Sequence, residues 1–164
     1  MARDDDQFAE FVTSRRTRLR RTAYALCGDW HAAEDLVQTA LAKLYVAWPR
    51  VEGAQDAYVR RILVNASIDE HRRPWRRERA TEPLPERAHH DVAAERSALV
   101  DALQLLPPMQ RRVVVLRRWL DVSVEDTAAE LGISTGTVKS HTSRALTRLH
   151  ELLADGEHDL RSTR

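Results

Sequence analysis

The chain has 164 residues, 26 Lys plus Arg against 25 Asp plus Glu, a formal net charge of +1, and 31% charged and 43% hydrophobic residues. This is the profile of a globular domain protein, and the balanced charge excludes a uniformly basic coat. No apolar run approaches the length needed to span a bilayer, the start Met-Ala-Arg-Asp-Asp-Asp lacks a signal peptide's basic, apolar opening, and the single cysteine, Cys27, excludes an intramolecular disulfide and a Cys-rich zinc site.

The periodicity is helical almost throughout. Phe8, Phe11, Val12, Leu19, Ala23 and Leu26 recur at three-, four- and seven-residue steps and predict an amphipathic helix from about Asp6 to Cys27. Gly28 can end it, and Asp29 can cap the next. Ala33, Leu36, Val37, Ala40, Leu41, Leu44 and Tyr45 mark a second helix that stops near Pro49. After a loop from Pro49 to Gly53, Tyr58, Val59, Ile62, Leu63, Ala66 and Ile68 define a third, ending before Pro74.

Residues 74–91 change character. Pro74, Pro83 and Pro85 stand among Arg, Glu and His with no apolar period, the mark of a solvated, flexible linker. A second domain opens at about Val92. Ala98, Leu99, Ala102, Leu103 and Leu106 form one face, and Pro107-Pro108 breaks the chain, with Pro108 suited to a first helical turn. Val113, Val114, Leu116 and Trp119 continue the apolar face. Ser123-Val-Glu-Asp126 is a capping box with Asp in place of Glu. It opens a short helix from Val124 to Leu131. Gly132-Ile133-Ser134 is a tight turn, and Ser134 caps a last helix with Val138, Ala145, Leu146, Leu149 and Leu152 inward. The fold class is therefore all-α: two small helical domains joined by a flexible linker. The segments are 1–75, a linker 76–95, 96–155 and a C-terminal tail 156–164.

The stretch Thr127 to Lys139 has the pattern of a helix-turn-helix. Ala128 is small where two helices must cross closely. Gly132 can take the left-handed conformation of the turn, and Ile133 and Val138 fill the space between the helices. The start of the last helix is left with Ser134, Thr135, Thr137, Lys139 and Ser140. These short polar side chains sit at a helix N-terminus, which favours phosphate. Ser143, Arg144 and Arg148 lie further along the outer side. A tight corner with a merely solvated last helix is the plain alternative.

Leu106-Pro-Pro-Met-Gln-Arg-Arg-Val-Val-Val-Leu-Arg117 and Ser123 to Leu146 resemble region 4 of the extracytoplasmic-function (ECF) sigma factors of RNA polymerase, within the sigma-70 family and most like its actinobacterial sigma-E-like subgroup. Ala33-Glu-Asp-Leu-Val-Gln38 resembles region 2.2. Tyr58-Val-Arg-Arg-Ile-Leu-Val-Asn-Ala-Ser-Ile-Asp-Glu-His-Arg-Arg73 resembles regions 2.3 and 2.4. Both halves stand in the family order, over roughly residues 8–75 and 96–153.

The resemblance implies a catalytically silent cytoplasmic subunit that binds core RNA polymerase and directs promoter-specific initiation, without cofactor, metal or membrane. It implies that Asp35, Gln38, Thr39 and Leu41 face the clamp helices of the β′ subunit, with Lys43 nearby, although Thr39 and Leu41 stand where the family more often has Glu and Phe. Further contact with the β flap is implied. Arg60, Arg61, Asn65, Arg72 and Arg73, with the loop from Pro49 to Asp56, correspond to the reader of the minus-ten element. Ser134, Thr135, Thr137, Lys139, Ser140, Ser143, Arg144 and Arg148 are the expected contacts to the minus-thirty-five duplex. The family often pairs with an anti-sigma factor. The Gly-Thr-Val-Lys-Ser-His run also resembles the output domain of stand-alone LuxR-type regulators, but the first half lacks the alternating strand–helix pattern of their receivers. His89-His90-Asp91 and Cys27 do not form an enzyme site: the histidines sit in the Pro-flanked linker, and Cys27 reads as a small buried hydrophobe.

Overall fold

The computed structural model describes residues 2–71 and 92–162, with side chains over 4–67 and 98–156. The expected linker, with Arg72, Arg73, Trp75, His89 and His90, lies outside the described residues. The chain divides into two units, Met1–Thr81 and Glu82–Arg164.

The first unit is a three-helix bundle of α1 (Ala2–Cys27), α2 (Trp30–Ala47) and α3 (Gln55–His71), each packed on the other two. The breaks follow local chemistry. Gly28 has φ 73°, a left-handed geometry that costs a residue with a Cβ about 1–2 kcal/mol. Asp29 is extended, and its carboxylate accepts the Ala32 N–H at 2.9 Å, so α2 starts where expected. Proline at position 49 converts the end of α2 into a short 3-10 turn, Trp48–Arg50. The core is aliphatic in the middle, with Ala23, Ala33, Leu36, Val37, Ala40, Leu44, Val59 and Leu63 buried. At the loop end it becomes aromatic. Phe8 meets Tyr45 and Trp48 edge-on at 5.0 and 5.2 Å, and Phe11 meets Trp48 at 5.5 Å.

In the second unit α4 (Val92–Gln104), α5 (Pro108–Val114) and α6 (Val124–Leu131) all pack on the long α7 (Thr135–Ser162). α7 runs beyond residue 155, the expected end of the second domain. Pro108 occupies the first turn of α5, as its missing N–H allows. The face of α4 differs from expectation. Ala98 is exposed, while Val100 is buried with Ala102 and Leu103. Beyond α5 the helix widens into a π-helical turn, Val115–Trp119, whose extra residue carries Val115 inward beside Leu116. It closes with the Val122 N–H on the Leu116 carbonyl at 2.9 Å and with Asp121 at φ 53°.

Arg111 closes the gap between α4 and α5. It is 4% exposed, and its guanidinium donates to the carbonyls of Leu103 (2.8 Å), Gln104 (2.8 Å) and Leu106 (3.3 Å). The Leu103 and Gln104 carbonyls lie at the end of α4 and the Leu106 carbonyl in the turn beyond it, so a buried cation adds donors where a C-cap glycine supplies them elsewhere.

Candidate nucleic-acid interface

The helix-turn-helix is built by capping. The Ser123 hydroxyl accepts the Asp126 N–H at 3.0 Å and opens α6. Gly132, at φ 65° and ψ 36°, and Ile133 both return their N–H to the Ala128 carbonyl. Ser134 starts α7, its hydroxyl accepting the Thr137 N–H at 3.1 Å and lying 2.8 Å from the Thr137 hydroxyl. Val113, Ala128 and Val138 bury together, with Met109, Val124, Leu131 and Ile133 around them. Ala128 is the small residue at the crossing.

This packing pushes one side of α7 outward. Ser134, Thr135, Gly136, Lys139, Ser140, Ser143, Arg144 and Arg148 are exposed. Thr137 is half-buried with its hydroxyl engaged in the cap, and Arg148 pairs with Glu151 at 3.2 Å in an exposed bridge. The exposed row joins a helix N-terminus, the cations Lys139 and Arg144, and several short hydroxyls. It can meet phosphates and base edges together.

In the first unit, Asp35, Gln38, Thr39 and Lys43 lie on the exposed side of α2. Leu41 does not. It is 8% exposed and belongs to the core, because it follows Val37 and precedes Leu44 on the apolar stripe. Towards the C-terminal end of α2 the large outward apolar groups are instead Tyr45 and Val46, 52% and 71% exposed. The Tyr45 hydroxyl donates to Asp5 at 2.9 Å, and that bond raises its pKa above the ordinary value. On α3, Arg61 and Asn65 are exposed one turn apart, while Arg60 is half-buried and engaged. Tyr58 and Trp48 pack on the core cluster and are not free stacking platforms.

Pro49, Arg50, Glu52, Gly53 and Ala54 line the loop between α2 and α3, with the tip exposed. The first turn of α3 is tied to α1: Arg15 donates from Nε and Nη2 to the two Asp56 carboxylate oxygens at 3.0 and 3.3 Å. The hydrogen bond and charge of Asp56 raise the Arg15 pKa above its already high ordinary value. At the opposite turn Tyr24 stacks on Trp30 at 4.0 Å, and Arg20 lies over Trp30 and bridges to Glu34. Cys27 is half-buried, its thiol donating to the Asp29 carbonyl. Among the described residues no group of His, Cys, Asp and Glu could hold a metal, and no helix is long and apolar enough to cross a membrane.

The Arg15–Asp56 pair, the Arg111 clamp and the exposed Tyr45–Val46 pair escape sequence reasoning. The Arg15–Asp56 and Arg111 contacts join residues with no periodic relation. Tyr45 is expected on the apolar stripe of α2 but is 52% exposed at its edge, while Val46 carries a signal as a bulky apolar group off that stripe.

Residues 11–77 match the family described as Sigma-70 region 2, and residues 96–149 match Sigma-70, region 4. The chain belongs to the sigma-70 family of RNA polymerase sigma factors. The sigma factor is 44% identical over 161 residues to the RNA polymerase sigma-E factor of Streptomyces coelicolor, covering 95% of this chain and 91% of that one. It is 43% identical to the sigma-E factor of Streptomyces antibioticus, with 95% and 89% covered. A solved structure of the sigma factor RpoE with the anti-sigma factor NepR from Bartonella quintana superposes with a TM-score of 0.72 at 28% identity, over 90% of this chain and 97% of that one. The sigma factor is thus a transcription initiation factor that binds core RNA polymerase and directs it to promoters. The region 2 match over the first unit favours this over a stand-alone LuxR-type regulator.

Proposed function

We propose a division of labour between the two units. The second unit reads the minus-thirty-five duplex with the leading edge of α7, through Ser134, Thr135, Lys139, Ser140, Ser143, Arg144 and Arg148, while Thr137 shapes the cap. The observation that carries this reading is the capped, exposed N-terminus of α7, with Lys139 and Arg144 beside short hydroxyls. The first unit docks on the β′ clamp helices with Asp35, Gln38 and Thr39, and Tyr45 and Val46 extend that face in place of Leu41. Asn65, Arg61, Arg60 and the loop from Pro49 to Asp56 read the unpaired minus-ten strand, with Arg72 and Arg73 on phosphate. Region 4 completes the grip on core through the β flap. Nucleotidyl transfer stays with the polymerase, and the protein works in the cytoplasm without cofactor.

Two weak contacts on one chain raise each other's effective concentration, so a promoter with both elements is held far better than either alone. An anti-sigma factor is the further partner, as NepR is for RpoE in the Bartonella quintana complex. A pull-down from cells that returned polymerase subunits and nothing else would remove this partner.

Run-off transcription with core polymerase and a promoter library tests the whole reading. Initiation is expected only with the protein present, and only at templates bearing both elements. Transcription that persists without the protein refutes it. Lys139→Ala and Arg144→Ala should each lower the log–log salt slope of promoter binding by about 0.9 for a lost phosphate contact.

A further inference from the structure

The loop from Trp48 to Asp56 is fixed at both ends by two adjacent turns of one helix. At its start, the Trp48 ring meets Phe11 of α1 edge-on at 5.5 Å. At its end, Asp56 accepts two hydrogen bonds from Arg15, at 3.0 and 3.3 Å. Phe11 and Arg15 are four residues apart, hence stacked on one face of α1, and the Arg15 guanidinium lies over the Phe11 ring at 5.6 Å. A continuous chain of contacts therefore runs Trp48–Phe11–Arg15–Asp56. Inside this bracket the loop folds with two turn bonds, Val51 N–H to Trp48 and Ala54 N–H to Val51, and with Gly53 at φ 76°. Its tip is open at Gly53, where an added Cβ would meet no atom within 4 Å.

From this arrangement we infer that Arg15 is a positioning residue for minus-ten recognition, holding the stem of the reading loop through Asp56. The inference rests on the reading that this loop contacts the unpaired minus-ten strand. A short exposed tip samples many conformations unless its ends are fixed, and binding must then meet the cost of ordering it. The planar guanidinium and the carboxylate form a two-bond fork, which fixes direction as well as distance. The same fork sets a cation against the Asp56 carboxylate. Without it that carboxylate, 57% exposed, would face incoming phosphates uncompensated. A lysine could supply the charge but not the fork.

The test uses holoenzyme reconstituted from core polymerase and the full chain. The probe is a fluorescein-labelled single non-template strand spanning the minus-ten element of a promoter recovered in the run-off screen. Arg15→Gln and Asp56→Asn should each weaken strand binding about 3- to 10-fold, the cost of one or two freed side chains and a looser loop. The exchanged double variant, Arg15→Asp with Asp56→Arg, should return to within about 2-fold of the starting affinity, the signature of a direct pair. Arg15→Lys should recover only part of the loss. Thermal melting of the free protein, assembly with core and binding of the minus-thirty-five duplex should all stay unchanged, which separates positioning from a general loss of fold. Arg15→Gln at full strand affinity, or an exchanged variant no better than the single ones, overturns the role of Arg15. If Asn65→Ala weakens strand binding while Arg15→Gln does not, minus-ten reading by this unit stands and only the clamp falls. If neither changes it, the reading itself fails and takes the inference with it.

Discussion

The two units solve the same problem, holding a polar reading surface on a few helices, by different means. The first closes its loop end with an aromatic cluster and ties α1 to the neighbouring elements with exposed groups, Asp5 to Tyr45 and Arg15 to Asp56. The second has a mostly aliphatic core with two buried arginines, Arg111 and Arg112, and the Arg111 guanidinium holds the corner between α4 and α5. An exposed pair is solvated whether made or broken, so its loss disturbs geometry more than stability. A buried guanidinium takes three donated hydrogen bonds away from buried backbone carbonyls when it is removed. The first unit should therefore tolerate loss of its ties and lose aim; the second should lose its fold.

The largest effects fall on the cores, where the units should behave alike. Leu44→Ala and Leu116→Ala, both fully buried, should each cost about 2–5 kcal/mol by cavity formation. Amide hydrogen exchange, resolved to α1–α3 for the first and α4–α7 for the second, measures it. Arg111→Met comes next and divides them. It should lower the stability of the second unit by about 3 kcal/mol and weaken minus-thirty-five duplex binding in parallel. Unchanged exchange protection in α4 and α5 would show that the clamp is ornamental.

Smaller effects come from the breaks. Gly132→Ala should cost about 1–2 kcal/mol from backbone strain alone, since no atom crowds the added Cβ. Ser134→Ala and Asp29→Ala should each cost about 1 kcal/mol as lost caps. Only the first of these two should also lower duplex affinity, read by titration with a minus-thirty-five oligonucleotide duplex. The smallest effect on stability is expected at Arg148. Arg148→Gln breaks an exposed bridge worth at most about 0.5 kcal/mol, yet should reduce the salt slope of duplex binding by about 0.9 if its guanidinium meets phosphate. A slope equal to that of the unaltered protein removes Arg148 from the interface.

The helix-turn-helix is legible because its signals are local. Ser123, Gly132 and Ser134 act on backbone groups within a few residues, and each does in the structure what its type and spacing predict. The exposed row on α7 follows from that register. The docking face is harder to read. Resemblance places Leu41 outward, but its step from Val37 and to Leu44 puts it in the core, while Tyr45 and Val46 come to the surface. The face of α4 departs from its apolar pattern at Ala98 because α7, which covers α4, lies far along the chain. The π-helical turn that brings Val115 inward has no residue signature in the sequence.

Sequence alone determined the all-α character, the capped helix breaks at Gly28-Asp29, Ser123, Gly132 and Ser134 and the helix-turn-helix, though not the start of α1 at Ala2 or the end of α7 at Ser162, because caps, left-handed glycines and apolar period act between residues a turn or two apart. Tertiary structure decided which turn of α1 grips the loop before α3, where a buried guanidinium replaces a C-cap, and which side of α2 is free. Those outcomes depend on pairs such as Arg15 and Asp56, which no local rule connects and only packing brings within hydrogen-bonding distance.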